Sequence, residues 1–172
     1  MNILVASDIH GSAFYCRKLI RAFTNEGADT LLLLGDILDG SDYEDVADML
    51  NRLNEENRIF SVRGNCDSEI DQKRLTFPIM AEYCLLYVKK RIIFATHGHN
   101  NFLKPHLSNE DIFLQGHTHV PSWKYENGRF YFNPGSVSMP RRGSTNSYMT
   151  ITDDAFFWKN LDGKVYNELR LS

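Results

Sequence analysis

The chain has 172 residues, which suits one domain and a core built without disulfides. Apolar residues make up 42% and charged residues 24%, and the formal net charge is −3. That balance is ordinary for a globular protein and excludes a general affinity for nucleic acid or anionic membranes. The three cysteines (Cys16, Cys66 and Cys84) are odd in number, widely spaced and without a CxxC pair, so reduced thiols in a cytoplasmic protein are expected. The N-terminus opens on a strand rather than a signal peptide, and no apolar run approaches the ~18 residues a membrane span requires.

Asn2 to Ala6 is a short continuous apolar run, the pattern of a buried strand. Ser12 is placed to cap a helix carrying Phe14, Leu19, Ile20 and Phe23 at helical spacing, and Gly27 ends it. Thr30 to Leu34 is a second buried strand, followed by Gly35-Asp36. Tyr43 to Glu56 reads as an amphipathic helix with Val46, Met49, Leu50 and Leu53 on one face. Ile59 to Val62 is a third strand, followed by Gly64-Asn65. This βαβαβ order signals a parallel sheet with crossover helices.

The second half is rich in hairpins. Tyr83 to Val88 and Arg91 to Ala95 flank a Lys89-Lys90 turn, and Asp111 to Gln115 is a further strand. Ser122 to Glu126 and Arg129 to Asn133 flank Asn127-Gly128, a strong hairpin signal. Ser147 to Thr152, Ala155 to Lys159 and Val165 to Leu169 complete the pattern. Two packed sheets are expected, one mixed and one mainly antiparallel, with helices on both outer faces and no linker dividing the chain.

Five of the six histidines fall into three clusters: Asp8-Ile9-His10, His97-Gly98-His99 and His117-Thr118-His119. Each candidate follows a predicted strand, and in α/β sheets ligands bind where the loops leaving the strand ends converge. Asp8 and His10, like His117 and His119, stand two apart, a spacing that points both side chains the same way in extended chain. The glycines at 35, 64, 98 and 116 permit sharp turns beside the ligands. Asp8, His10, Asp36, Asn65, His97, His117 and His119 together supply two carboxylates, one amide oxygen and four imidazoles. That set suits Mn²⁺, Fe, Zn²⁺, Co²⁺ or Mg²⁺. Seven ligands exceed one tetrahedral ion but fit two ions sharing a bridge. Two divalent ions against two Asp leave a charge of about +2, which attracts phosphate.

In this order, D-x-H, GD, GN, H and GHxH, the motifs resemble the calcineurin-like metallophosphoesterase family. The stretches RGNCDSE (63–69), THGH (96–99), GHTHVP (116–121) and FNPGSVS (132–138) resemble its small bacterial and archaeal YfcE-like phosphodiesterase group. The resemblance implies an α/β fold, a four-layer α-β-β-α sandwich of two packed mixed sheets. It implies a phosphodiesterase of small phosphate esters that uses two divalent metal ions, Mn²⁺ first and Zn²⁺, Fe, Co²⁺, Ni²⁺ or Mg²⁺ as alternatives. Asp8, His10 and His119 would hold one ion, Asn65, His97 and His117 the other, and Asp36 would bridge. A metal-bound hydroxide would attack phosphorus in line with the leaving group. Family members of this size often associate, which implies a homo-oligomer. Alternatives are a phosphomonoesterase, a dinucleoside polyphosphate hydrolase, or a non-catalytic scaffold of the same fold.

The chain departs from the wider family at Cys66, where relatives carry a His that assists the leaving group. A thiol is a weak donor, so activated aryl diesters are expected to turn over better than alkyl monoesters. The candidate catalytic residues are therefore Asp36, Asn65, Cys66 and His99. His99 reads either as a residue orienting a ligand or substrate, or as a loop residue. His106 reads as a loop residue, Asp39 and Asp67 as structural or ligand-orienting, and 133–136 as a turn. Arg141-Arg142 reads as a solvated pair. Cys16, Cys84 and the aromatics of 130–132 and 156–158 are assigned to the core.

Overall fold

Asn2–Ala6 forms β1, and its side chains alternate between two cores. Ile3 and Val5 face the space between two sheets, while Leu4 and Ala6 face a helical layer. In the computed structural model, which describes residues 2–103 and 105–170, there follow α1 (Ala13–Asn25), β2 (Thr30–Leu33), α2 (Tyr43–Leu53), a 3-10 turn (Asn54–Glu56), β3 (Ile59–Ser61) and α3 (Glu69–Gln72). The second half comprises β4 (Tyr83–Val88), β5 (Arg91–Thr96), β6 (Ile112–Gln115), β7 (Ser122–Glu126), β8 (Arg129–Asn133), β9 (Ser147–Thr152), β10 (Ala155–Asn160) and β11 (Val165–Arg170). The predicted strands and both long helices are all present, with ends shifted by a residue or so except in α2. The short α3, closed by a Ser68–Asp71 capping box, was not foreseen.

The helices form for the expected reasons. α1 turns Cys16, Leu19, Ala22 and Phe23 inward. It ends where Gly27 takes φ +57 and Ala28 N–H reaches back to the Phe23 carbonyl. Ser12 is its N-cap in backbone conformation but makes no side-chain cap bond. α2 buries Val46, Ala47 and Leu50. It stops at Leu53, short of the expected Glu56, because the chain tightens into the 3-10 turn and Asn57 turns left-handed.

The strands make two sheets, ordered β11-β10-β9-β1-β2-β3 and β4-β5-β6-β8-β7. The first is mixed: β1, β2 and β3 run parallel, and β9, β10 and β11 antiparallel. The second is mixed as well, correcting the expectation of a mainly antiparallel sheet: β5, β6 and β8 run parallel. The reason is the long 97–111 connection, which carries the chain across so that β6 returns parallel to β5. Between the sheets lies a core of Val5, Leu32, Leu34, Ile93, Ile112, Leu114, Phe132, Met149, Phe156 and Trp158. α1 and α2 cover the outer face of the six-stranded sheet. No helix follows β4 among the described residues, so the second half of the chain adds none over the outer face of the five-stranded sheet. That face instead carries a row of rings, Tyr83 on Phe94 (4.9 Å), Phe94 on Phe113 (5.6 Å) and Phe113 by Tyr131 (6.0 Å). Among the described residues, no helix is long and apolar enough to cross a membrane.

Candidate metal centre

The parallel run of β1, β2 and β3 sends Asp8, Asp36 and Asn65 out from one edge of the six-stranded sheet. β5 and β6 bring His97 and the His117–His119 loop to the same place from the other sheet. The loops are tied together by backbone bonds: Asp8 N–H to the Gly35 carbonyl, His10 N–H to the Asp36 carbonyl, and Gly116 N–H to the His97 carbonyl.

The backbone at these residues differs from the extended chain expected of D-x-H and H-x-H. Asp8 (φ 59), His10 (φ 47), Asp36 (φ 53), His117 (φ 63) and His119 (φ 61) are all left-handed. Asp and His tolerate that region better than most residues, at a cost of order 1–3 kcal/mol each. Two side chains at i, i+2 therefore converge through paired left-handed turns rather than through the strand alternation. Two glycines serve close approach rather than turning. A Cβ at Gly64 would strike the backbone N and carboxylate of Asp36, and one at Gly116 would strike the Ser7 side chain.

Atoms able to ligate a cation form two compact groups, Asp8–His10–His119 and Asp36–His97–His117, each with its atoms within 4.8 Å of one another. In the first, Asp8 Oδ1 lies 3.3 Å from His119 Nε2 and 3.9 Å from His10 Nε2, and the two imidazole Nε2 atoms face each other at 3.3 Å. In the second, Asp36 Oδ2 lies 3.4 Å from His97 Nε2, and Asn65 Oδ1 lies 3.1 Å from the same nitrogen. Asp36 Oδ2 is also 3.7 Å from His10 Nε2, so one oxygen stands between the groups. His10, Asp39 and Cys66 make a third grouping at its margin.

Backbone carbonyls fix the imidazoles. His97 Nδ1–H donates to the Leu34 carbonyl at 2.6 Å, and His119 Nδ1–H donates to the Met139 carbonyl at 2.7 Å. A carbonyl only accepts, so in the neutral ring each Nε2 keeps its lone pair facing the cluster, the arrangement a cation requires. His10 Nδ1 lies 3.6 Å from the exposed Asp39 carboxylate instead. Asp36 Oδ1 accepts from Cys66 N–H at 2.9 Å, leaving Oδ2 to the cluster.

The residues fit a cation on a direct observation. Asp8 Oδ1 is buried and has no hydrogen-bond partner among the described residues, a costly arrangement unless a positive charge meets it. Burial pushes the Asp8 carboxyl up to about 6, despite the Ser7 hydroxyl and nearby histidines. Burial acts the same way on Asp36, but the bonds from His97 and Cys66 hold it down at about 2. Burial lowers His117 and His119 below the usual histidine range, which favours the neutral, ligating form. Burial would lower His97 too, yet its contact with Asp36 raises it.

The chain matches the model of the calcineurin-like phosphoesterase superfamily domain over residues 1–155. It belongs to that superfamily. It is 39% identical over 165 residues to phosphodiesterase YfcE of Escherichia coli K12, covering 90% of this chain and 89% of that one. It is 28% identical to the probable metallophosphoesterase YsnB of Bacillus subtilis, over 90% and 87% of the two chains. The solved structure of the phosphoesterase YfcE from E. coli superposes with a TM-score of 0.92 at 34% identity, over the whole of both chains. Like its superfamily, this chain packs two mixed sheets together, with α1 and α2 on the outer face of the six-stranded one.

All seven ligands expected from the sequence meet at this one edge of the superfamily fold. His99 stands beside them, its ring 5.4 Å from that of His97, with Nδ1 buried and without a hydrogen-bond partner among the described residues. Cys66 is half-buried; burial, then Asp36 and Asp39, push its thiol up to about 12. Two supports stand behind the ligand loops, and Asp67 is the structural residue its sequence position suggested. Asp67, buried, accepts from Asp36 N–H (2.9 Å), Ile37 N–H (2.9 Å) and Gly64 N–H (2.7 Å), tying the two loops together. The 133–139 segment is more than a turn. Ser136 and Ser138 hydroxyls donate to the Asp8 carbonyl, and Asn133 holds the Gly116 carbonyl and the Thr118 hydroxyl. Their signals were the adjacency of Asp67 to Gly64-Asn65 and the FNPGSVS stretch that carries part of the family resemblance.

Proposed function

We propose that the chain is a phosphodiesterase of small phosphate esters that holds two divalent cations at this centre. The observation that carries the reading is Asp36 Oδ2, which stands between His97 and His10 and so is placed to serve both ions. Asp8, His10 and His119 would hold one ion, and Asn65, His97 and His117 the other, with Asp36 shared. The oxygen and imidazole donors suit Mn²⁺ first among several metals. When bound, two such ions supply Lewis-acid charge and an activated water for in-line displacement at phosphorus.

The protein's own groups do the rest. Asp8 and Asp36 offset part of the cation charge and leave the site positive enough to draw in a phosphate. The Leu34 and Met139 carbonyls keep the His97 and His119 Nε2 atoms turned to the cluster. A recess lined by Leu38, Asp39, Gly40, Tyr43, Cys66 and Arg74 opens beside the centre and gives room for a leaving group. At that side stands a thiol that stays protonated and donates weakly, so leaving groups that need no proton are favoured. Free thiols at Cys16, Cys66 and Cys84 support a reducing, cytoplasmic setting. The reading includes a homo-oligomer.

The test is a panel of aryl phosphodiesters and alkyl monoesters against Mn²⁺, Zn²⁺, Co²⁺, Ni²⁺ and Mg²⁺. Hydrolysis of an aryl diester that saturates at two equivalents of metal is expected; none with any metal would overturn the reading. Cys66→His should raise alkyl ester turnover relative to aryl turnover, and unchanged rates on every ester would refute the part given to Cys66.

A further inference from the structure

The recess beside the centre is a cavity of about 300 Å³. Asp39 and Cys66 line it, and their ligating atoms stand within 4.8 Å of that of His10. Gly40, in its wall, packs so closely on the His10 carbonyl that a Cβ would collide with it. A group expelled from phosphorus at the centre finds its room here. Two features bear on what that group is. The first is Cys66, because an S–H is a weak donor and an alkoxide leaves poorly unless a proton meets it. The second is Arg74. Its guanidinium lies over the Tyr43 ring at 4.8 Å and donates through Nη1 to the Ile70 carbonyl at 3.3 Å. Asp71 Oδ1 stands 3.9 Å from the same Nη1, while Asp71 Oδ2 accepts from the Ser68 N–H and hydroxyl. Among the described residues, Nε and Nη2 of Arg74 have no partner. The recess thus offers a fixed positive charge with two unspent donors, and little by way of a proton.

We infer that the leaving group received in this recess is itself a phosphate, so that the substrates are disubstituted phosphoric anhydrides, RO–PO₂⁻–O–PO₂⁻–OR′, cleaved at the P–O–P bridge. The inference rests on the two-cation reading above and names the substrate class that site serves. The oxygen of water bonds to one phosphorus, and the bridging oxygen departs on the other with the bonding pair. Two phosphate monoesters result, each taking one proton of the water and passing it to solvent above about pH 6. A leaving phosphate is therefore stable without a proton from the protein, as an alkoxide is not. Negative charge gathers on its oxygens as the bridge breaks. A guanidinium fork meets phosphate oxygens in matching geometry, and charge fixed where negative charge develops favours the transition state over the substrate. The carboxylates of the recess are engaged elsewhere: Asp71 by Ser68 and Arg74, and Asp39 at 3.6 Å from His10 Nδ1. Tyr43 is covered by Arg74, and Leu38 and Gly40 bring no polar side chain, so selectivity falls on the phosphate rather than on R′.

The test gives the Mn²⁺-loaded full chain three substrates: diadenosine diphosphate, the alkyl diester adenylyl-adenosine, and bis(p-nitrophenyl) phosphate. Diadenosine diphosphate should be hydrolysed to AMP with a kcat/KM ~100-fold or more above that of adenylyl-adenosine, the scale of a missing general acid. This comparison needs no variant. Hydrolysis of the aryl diester without that preference would overturn the inference alone, whereas no hydrolysis of any of the three would overturn the two-cation reading with it. Arg74→Gln should lower the ratio of anhydride to aryl diester turnover ~10-fold or more, and Arg74→Lys, which keeps the charge but not the fork, should lower it less. Binding supplies a readout apart from turnover. Calorimetric titration with the uncleavable methylene-bridged analogue of diadenosine diphosphate should show ~10-fold weaker binding to Arg74→Gln than to the wild type. Equal affinities, or an unchanged ratio of turnover, would also overturn the inference.

Discussion

The two ligand groups share one edge of the fold, yet they are built in opposite ways. The Asp36 group is settled before any cation arrives. Its carboxylate accepts from Cys66 N–H, meets His97, and sits low at about 2. The Asp8 group is held in tension. Its carboxylate has an orphaned oxygen, sits high at about 6, and faces two imidazole nitrogens that face each other. Left-handed backbone is common to both groups: all three residues here have it, and so do Asp36 and His117 in the other. The lesson is that one group positions a cation by pre-paired charge and the other by leaving charge unpaired. The unpaired group gains more when the cation binds.

The largest expected effects come from removing one carboxylate from each group. Asp36→Asn should lower activity ~1000-fold or more, a loss of at least about 4 kcal/mol of transition-state stabilisation, because in the proposed two-cation site both ions would lose a ligand. Without metal, the two variants should move stability in opposite directions. Asp36 sits below its ordinary value of 3.8, so its contribution is present above that pH and is lost as pH falls towards about 2. Asp36→Asn should therefore cost the metal-free protein up to about 2 kcal/mol at pH 7. Asp8 sits above 3.8, so its contribution is present below that pH and is lost as pH rises through about 6. Asp8→Asn should therefore stabilise the metal-free protein by up to about 3 kcal/mol at pH 7, while abolishing metal binding at its group. Urea unfolding of the chelated proteins at pH 5 and pH 7.5 decides it. Equal signs for both variants would dissolve the contrast.

Much of this was legible in the sequence, for physical reasons. Buried parallel strands announce themselves as apolar runs, so the positions after β1, β2 and β3 were readable as one edge, and with them Asp8, Asp36 and Asn65. The Asn127-Gly128 turn likewise fixed the β7–β8 hairpin, and both residues take positive φ. What stayed hidden was non-local. The left-handed turns at His10 and His119 are imposed by bonds from other loops, and no neighbour in sequence encodes them. The parallel return of β6 depends on where the 97–111 connection travels. The ring row on the outer face of the five-stranded sheet was hidden for the same reason, since its contacts join residues of four separate strands.

Asp67 tests whether the settled group depends on its scaffold. It gathers three backbone donors from two loops, so Asp67→Asn turns amide hydrogens towards donors that need an acceptor. Each donor left unsatisfied costs about 1–3 kcal/mol, and supports of this kind are typically worth 10–100-fold in metal affinity. Calorimetric titration of the metal-free variant with Mn²⁺ should register that loss at the Asp36 group. A variant that melts lower but binds both ions as tightly as the wild type would make Asp67 a structural tie alone.

Asp39 sets the lower bound of the comparison. His97 and His119 are aimed by buried carbonyls, whereas His10 Nδ1 lies 3.6 Å from a carboxylate whose side chain is 59% exposed. Water competes with such a contact and salt screens it. His10 is in any case held by its N–H bond to the Asp36 carbonyl and by its left-handed turn. Asp39→Asn should then change stability by less than about 0.5 kcal/mol and weaken Mn²⁺ binding by a few-fold at most, with the difference vanishing as salt is raised. Titration at low and high ionic strength measures this directly. A salt-independent loss of tenfold or more would mean that the backbone alone does not aim His10, and that the strained group leans on an exposed charge to hold its ligand in place.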